Sequence, residues 1–490
     1  MKTRNEPHRP QYHFTPAANW LNDPNGLVYY DGEYHLFYQY HPHSTVWGPM
    51  HWGHAVSHDL VHWTELPIAL YPDELGQIFS GSAVIDWHNT AGFGAEAMVA
   101  SFTHHVESGH VQSQSIAYSL DKGRTWQKYA GNPVIATPDG QYHFRDPKVF
   151  WFGSQHGGHW VMCLAAGFAI HFYTSPNLID WTLSGSFGDG QGALDGIWET
   201  PDLFELAVAK RDETRWVLLV GVGAGAPAGG SGEQYFIGHF DGKTFTNDNP
   251  AETALWADYG ADAYAAQTWS DMPDGRRVKI SWLNNWDYAR KLPTQLWRGG
   301  MTLPRMLSLV STPAGIRLRQ WPVAELRSLR GAAQQWTAVA LPAEATFVPD
   351  ITPGKLWEFI VEFAERGDVS REYGLRLLWD SGASVIIGYA AATQELSLDR
   401  TRAGIVDFDA AFPAVHRAPL SPADGRVRLH IFVDSASLEI FANDGLVCMT
   451  DLVFPEDGNV GLEIFATGAP VTVEHLEAYS LHAALPESDV

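Results

Sequence analysis

Three short stretches decide the fold: "SHDLVHW" (Ser57–Trp63), "SLDKGRTW" (Ser119–Trp126) and "SPNLIDW" (Ser175–Trp181). Each follows an apolar run and ends in Trp, so each reads as one hairpin: strand, polar turn, then a strand opened by Trp. "GHFDGKTFTND" (Gly238–Asp248) is a fourth version with Phe for Trp. The interval of about sixty residues suits one four-stranded propeller blade with generous loops. Residues 1–319 therefore read as a β-propeller of roughly five blades. "QWPVAELRSLRGAAQQW" (Gln320–Trp336) has Pro near its start and Leu326 and Leu329 on one face, and predicts a helical linker over 320–336. Beyond it, "KLWEFIVEFAE", "RVRLHIFVD" and "NVGLEIFAT" alternate apolar and polar residues, which predicts a β-sandwich over 337–490. The fold class expected is all-β: a five-bladed propeller followed by a C-terminal sandwich.

The bulk numbers agree with two cores. At 490 residues the chain exceeds the roughly 250–300 at which single cores stop growing. A formal net charge of -24 repels nucleic acid and anionic membranes, so neither is an expected partner, and a neutral ligand fits better. The aromatic excess of 20 Trp, 18 Tyr and 24 Phe suits sugar rings as well as core. Cys163 and Cys448 lie in apolar runs and read as inert core thiols. No apolar stretch reaches the ~18 residues of a membrane span. "MKTRNEPHRPQYHF" has no apolar signal region, so a cytoplasmic protein is expected if this N-terminus is native and a secreted one if a leader was removed.

Three carboxylates fall in different blades, each followed closely by Pro: Asp23 in "NWLNDPNG", Asp146 in "HFRDPKVFWF" and Glu199 in "GIWETPDLFEL". Asp-Pro-Asn-Gly is what a type I turn prefers, so Asp23 is expected on a turn before the first strand. Innermost strands of a propeller point their ends at one mouth of the axial channel, where the three acids would converge. Two carboxyls cleave a glycosidic bond when one attacks or activates water and the other protonates the departing oxygen. Trp198 is expected to form an apolar wall raising the pKa of Glu199, and Arg145 to hold Asp146 ionised. That assigns Asp23 as nucleophile, Glu199 as acid/base and Asp146 as sugar binder and transition-state stabiliser.

"WLNDPNG", "FRDPKVF" and "WETPDLFE", in that order, resemble glycoside hydrolase family 32, the β-fructofuranosidases. The run from "HFTPAANWLNDPNG" to "SHDLVHW" looks especially like bacterial levanases and exo-inulinases, and the likeness continues through "GQIFSGSAV", "TLPRMLSL" and "HIFVDSASLEIFANDG". The resemblance implies retaining release of terminal β-D-fructofuranosyl units from levan, inulin, fructo-oligosaccharides and sucrose through a covalent fructosyl–enzyme. It implies the same three carboxylates, fructose contacts from Asn22, Gln39, Trp47, Ser82 and Arg145, and pocket walls from Phe79 and Trp286. It implies no cofactor and no metal. Thr200 departs from the family's Glu-Cys-Pro, and its hydroxyl is expected to hydrogen-bond and tune the acid.

Rival readings have their own signatures. The Ser119–Trp126 run also resembles the Asp-box of sialidases, but Arg145 is the one motif arginine. Five-bladed arabinanase-like hydrolases invert, with carboxyls about 6.5–9.5 Å apart, where retention needs about 5–5.5 Å. A sucrose-preferring invertase, a fructosyltransferase and a non-catalytic sugar binder are the functional alternatives. The histidine groups His51/His54/His58/His62 and His104/His105 lack clear zinc spacing. The sandwich is expected to be structural, or a contact in a homo-oligomer.

Overall fold

The computed structural model describes residues 6–154, 157–364, 371–456 and 458–484. The first part of the chain forms five antiparallel sheets, each built from consecutive strands. Their first strands are Asn19–Tyr30, Gln77–Asp86, Arg145–Ser154, Trp198–Ala207 and Tyr264–Thr268. These five lie side by side around an axis, the fifth returning to the first. The short strand Trp297–Arg298 pairs in parallel with Asn19 and Trp20 and ties the last blade to the first.

The Trp-ended hairpins share one local cause. In each, the side chain two residues after the opening Ser accepts backbone N–H groups: Asp59 from Val61 and His62, Asp121 from Thr125, Asn177 from Ile179 and Asp180. The indole N–H of Trp63, Trp126 and Trp181 then donates to the carbonyl three residues back, at 3.1, 3.0 and 2.9 Å. The fourth version keeps the acidic turn at Asp241 and buries Phe245 in place of the indole.

Residues 320–336 do not form the expected helix. The last blade strand runs Gly315–Pro322, a 3₁₀ turn covers Ala324–Leu329, and Arg330–Leu341 is a strand paired along Val471–Leu481. Leu326 and Leu329 are both buried, three apart, which one tight 3₁₀ turn achieves without a longer helix. The boundaries shift accordingly, with strand past 319 and sandwich strand from Arg330. Two six-stranded sheets then enclose a separate apolar core containing Trp357, Phe359, Tyr373 and Ile431.

Asp23 does not sit on a turn either. Asn19–Tyr30 is one continuous strand, with irregularities between Leu21 and Pro24 and between Asn25 and Val28. Asp-Pro falls in the first, where Pro costs no ladder hydrogen bond. Gly26 falls in the second at φ +54°, where a Cβ would lie 2.6 Å from the Phe37 ring. Irregularities recur near the start of the other first strands, between Ile78 and Gly81, opposite Cys163–Ala165, between Glu199 and Asp202, and between Tyr264 and Gln267. Bulges bend strands and re-aim side chains, and here they do so around one mouth.

Candidate active site

Asp23, Asp146 and Glu199 come together at that mouth. Asn22 donates from Nδ2 to Asp23 Oδ1 at 3.0 Å, and the Ser80 hydroxyl donates to Asp23 Oδ2 at 2.6 Å. The backbone N–H of Thr200 donates to Asp146 Oδ2 at 3.0 Å, linking the third and fourth blades. Arg145 donates from Nε and Nη2 to Glu199 Oε1 at 3.1 and 2.7 Å. The Tyr264 hydroxyl, from the fifth blade, donates to Glu199 Oε2.

The electrostatics follow from three neighbouring acids, Asp146 buried and Asp23 and Glu199 half-buried, and one guanidinium that serves Glu199 and Asp146. Burial pushes Asp146 up to about 7, with Glu199 and Asp23 adding to the rise and Arg145 opposing it. Burial likewise pushes Asp23 up to about 6, against the hydrogen bonds from Ser80 and Asn22. The expectation that Arg145 holds Asp146 ionised is therefore corrected. Its guanidinium is bonded to Glu199, and the nearest Asp146 oxygen is 3.9 Å away.

Trp198 is not the wall beside Glu199. Neighbouring strand residues point to opposite faces, and Trp198 turns into the interblade core against Phe187 and Phe236, its indole donating to Ala193 O. Ser82 does not face the acids: its hydroxyl donates to Pro147 O and accepts from Val149 N, joining the second and third blades. Ser80 takes the expected place because the bulge after Ile78 breaks the alternation. The Thr200 hydroxyl, expected to hydrogen-bond, is buried with no partner among the described residues, and its residue sits at φ +47°.

The remaining candidates divide by their contacts. Asn22 accepts from Trp20 Nε1 at 2.8 Å and orients Asp23. Gln39 donates to Ile78 O at 3.0 Å. Half-buried Trp47 meets Phe79 edge-on at 6.0 Å, and Phe79 stacks on His105 at 4.3 Å. Trp286 stacks on Trp20 at 6.0 Å. Tyr264 was missed because "DAYAAQT" carries no motif; its one signal is a place at the head of a first strand, like that of Glu199. The histidines are occupied locally: His54 on His35, His58 on Gly32 O, His62 on Asp59 and His104 on Ser115.

The model of the glycosyl hydrolases family 32 N-terminal domain matches residues 13–322, and that of the family's C-terminal domain matches 325–480. The chain belongs to glycosyl hydrolases family 32. Among family relatives, a levanase of Bacillus subtilis (strain 168) is 50% identical over 483 residues, covering 97% of this chain and 71% of that protein. An extracellular exo-inulinase of Aspergillus awamori is 38% identical, covering 97% and 95%. The crystal structure of exo-inulinase from Aspergillus awamori matches with a TM-score of 0.90 at 37% identity, over 98% of this chain and 100% of that one. A fructofuranosidase from Schwanniomyces occidentalis complexed with fructose matches at 0.88 and 32% identity, over 98% and 99%. The family's two domains thus correspond to the blades and the sandwich.

Proposed function

We propose that this chain is a retaining exo-hydrolase that releases terminal β-D-fructofuranosyl units from levan, inulin, fructo-oligosaccharides and sucrose. The observation that carries the reading is the convergence of Asp23, Asp146 and Glu199 from three blades on one mouth. Relatives named levanase and exo-inulinase support the substrate class.

Asp23, held by Asn22 and Ser80, attacks C2 of the terminal fructosyl unit. The C2–O bond breaks as Glu199 gives its proton to the leaving oxygen. Water then attacks C2, Glu199 takes the water's proton, and the Asp23–C2 ester breaks to free fructose. Asp146 accepts hydrogen bonds from sugar hydroxyls as charge develops on the ring. Arg145 and Tyr264 hold the Glu199 carboxyl on its two oxygens, so its aim is set from both sides.

Attack needs Asp23 ionised, so kcat/KM falls as pH drops through about 6. The test is threefold. Initial rates on sucrose, inulin and levan at equal terminal-fructose concentration rank the substrates and expose an invertase preference. Products at high sucrose report transfer to sugar instead of water. A Glu199→Ala variant fed a fructoside with a good leaving group accumulates one fructosyl unit on Asp23, seen by peptide mass. No fructose release from any of the three sugars overturns the proposal, and no adduct on Asp23 overturns its mechanism.

A further inference from the structure

The two loops that approach the mouth beside Glu199 expose apolar side chains at unusual expense. Gly167 and Phe168 form the two-residue turn between strands Gly157–Ala165 and Ile170–Ser175, closed by Ala166 N on Ala169 O at 2.8 Å. Gly167 supplies the positive φ of 77°. Phe168 follows it 50% exposed, and Leu194, on the loop leading to Glu199, is 41% exposed. Phe168, Ala169, Gly188, Asp189, Gly190 and Leu194 line an open cleft of about 480 Å³.

Neither wall is loose. The Trp198 backbone N–H donates to Gly167 O at 2.7 Å, and its indole donates to Ala193 O at 2.9 Å. The residue before Glu199 thereby ties both walls together. Ala193 N is held by Gln234 Oε1 and Gly192 N by Ala251 O. A Cβ at Gly188 would lie 2.5 Å from Phe168 O, so the two loops touch at the cleft floor. A rigid, exposed aromatic next to a carboxylate is what a sugar ring uses: the C–H face lies on the ring and hydroxyls reach Asp189.

We infer that the Phe168–Leu194 cleft binds a fructosyl ring of the fructan chain on the leaving-group side. The inference rests on the reading of Glu199 as the proton donor to the leaving oxygen, since the cleft lies on the Glu199 flank of the mouth. The occupant is a unit beyond the scissile bond, so chains of several fructosyl units engage it more than sucrose does. The cleft therefore raises efficiency on polymer relative to disaccharide.

The test is the ratio of kcat/KM on long-chain inulin or levan to kcat/KM on sucrose, in the full chain. Phe168→Ala lowers that ratio roughly 3- to 10-fold through the polymer KM, the size of one aromatic contact. Phe168→Trp keeps the ratio near the parent value, which mere loop packing would not allow. Leu194→Asn, a separate wall, lowers it in the same direction and stands in if Phe168→Ala fails to fold. An unchanged ratio in the folded variants overturns this inference alone. A parent that releases no fructose from any of these sugars overturns the hydrolase reading and this one with it.

Discussion

The propeller mouth and the seam between propeller and sandwich both gather acidic side chains, and they treat them differently. At the seam, Arg305 donates to Asp258 at 2.9 Å and to Glu439 at 2.7 Å. His13 bridges Asp434 and Glu439 at 2.7 and 3.0 Å. Arg400 reaches Asp262 at 2.6 Å and Asp451 at 3.3 Å. Burial alone would raise Glu439, but Arg305 and His13 outweigh it and its pKa falls. Asp262 stays raised, because burial and Asp451 together exceed what Arg400 returns. At the mouth, Arg145 serves Glu199 and Asp146 and leaves Asp23 to Ser80 and Asn22, and both aspartates rise into the range where proton transfer near neutral pH is feasible. A carboxylate bonded by two cations falls, as Glu439 does, and one with a single cation or none stays raised, as Asp262 and Asp23 do.

Breaking the mouth comes first, having the largest effect. Asp23→Asn removes the nucleophile and lowers turnover roughly 10⁴-fold, the scale seen when one member of a catalytic unit is lost. Its urea midpoint does not fall, because a carboxylate that burial disfavours has been neutralised; a midpoint well below the parent's would contradict the contrast. Breaking the seam does the reverse. Arg305→Met leaves Glu439 and Asp258 without their guanidinium and costs about 3–5 kcal/mol in denaturant unfolding, while kcat/KM of the folded fraction stays within about twofold.

Asp146→Asn sharpens the comparison. An acid whose folded pKa is raised loses stability as pH climbs from its unfolded value of 3.8 through about 7. The variant is therefore more stable than the parent by on the order of 4 kcal/mol at pH 8 and no more stable at pH 4, although inactive. His13 gives the smallest effect and the opposite slope. Burial lowers its pKa, but hydrogen bonds to Asp434 and Glu439 more than reverse this, to about 9. Its contribution is complete below about 6.5 and is lost as pH rises through about 9, amounting to on the order of 3 kcal/mol. A His13→Gln variant lacks that alkaline step, and thermal melts from pH 7 to 10 reveal whether it does.

The seam also shows where boundary reading fails. Gln11, Tyr12 and His13 precede the first blade, yet their N–H groups bond to Asp434 of the sandwich. Nothing in "RPQYHF" announces a partner more than four hundred residues away. The mouth was more legible, since three acids, each closely followed by Pro and in a different blade, mark three strand heads. What could not be read there was orientation. Ser80 and Ser82 differ by one bulge, Arg145 chooses Glu199 over its own neighbour, and Trp198 faces away from the residue beside it.

Local chemistry decided the hairpins: a Ser, an Asx acceptor and a Trp close the same turn in three blades without help from outside, because their hydrogen bonds all fall within seven or eight residues. Alternation of apolar and polar residues likewise decided that the rest is sheet. Tertiary structure alone decided which face each mouth residue presents and which cation each buried acid meets. Bulges shift a period of two by one residue at no visible cost in sequence, and the field at a carboxylate is a sum over strands that only folding brings together.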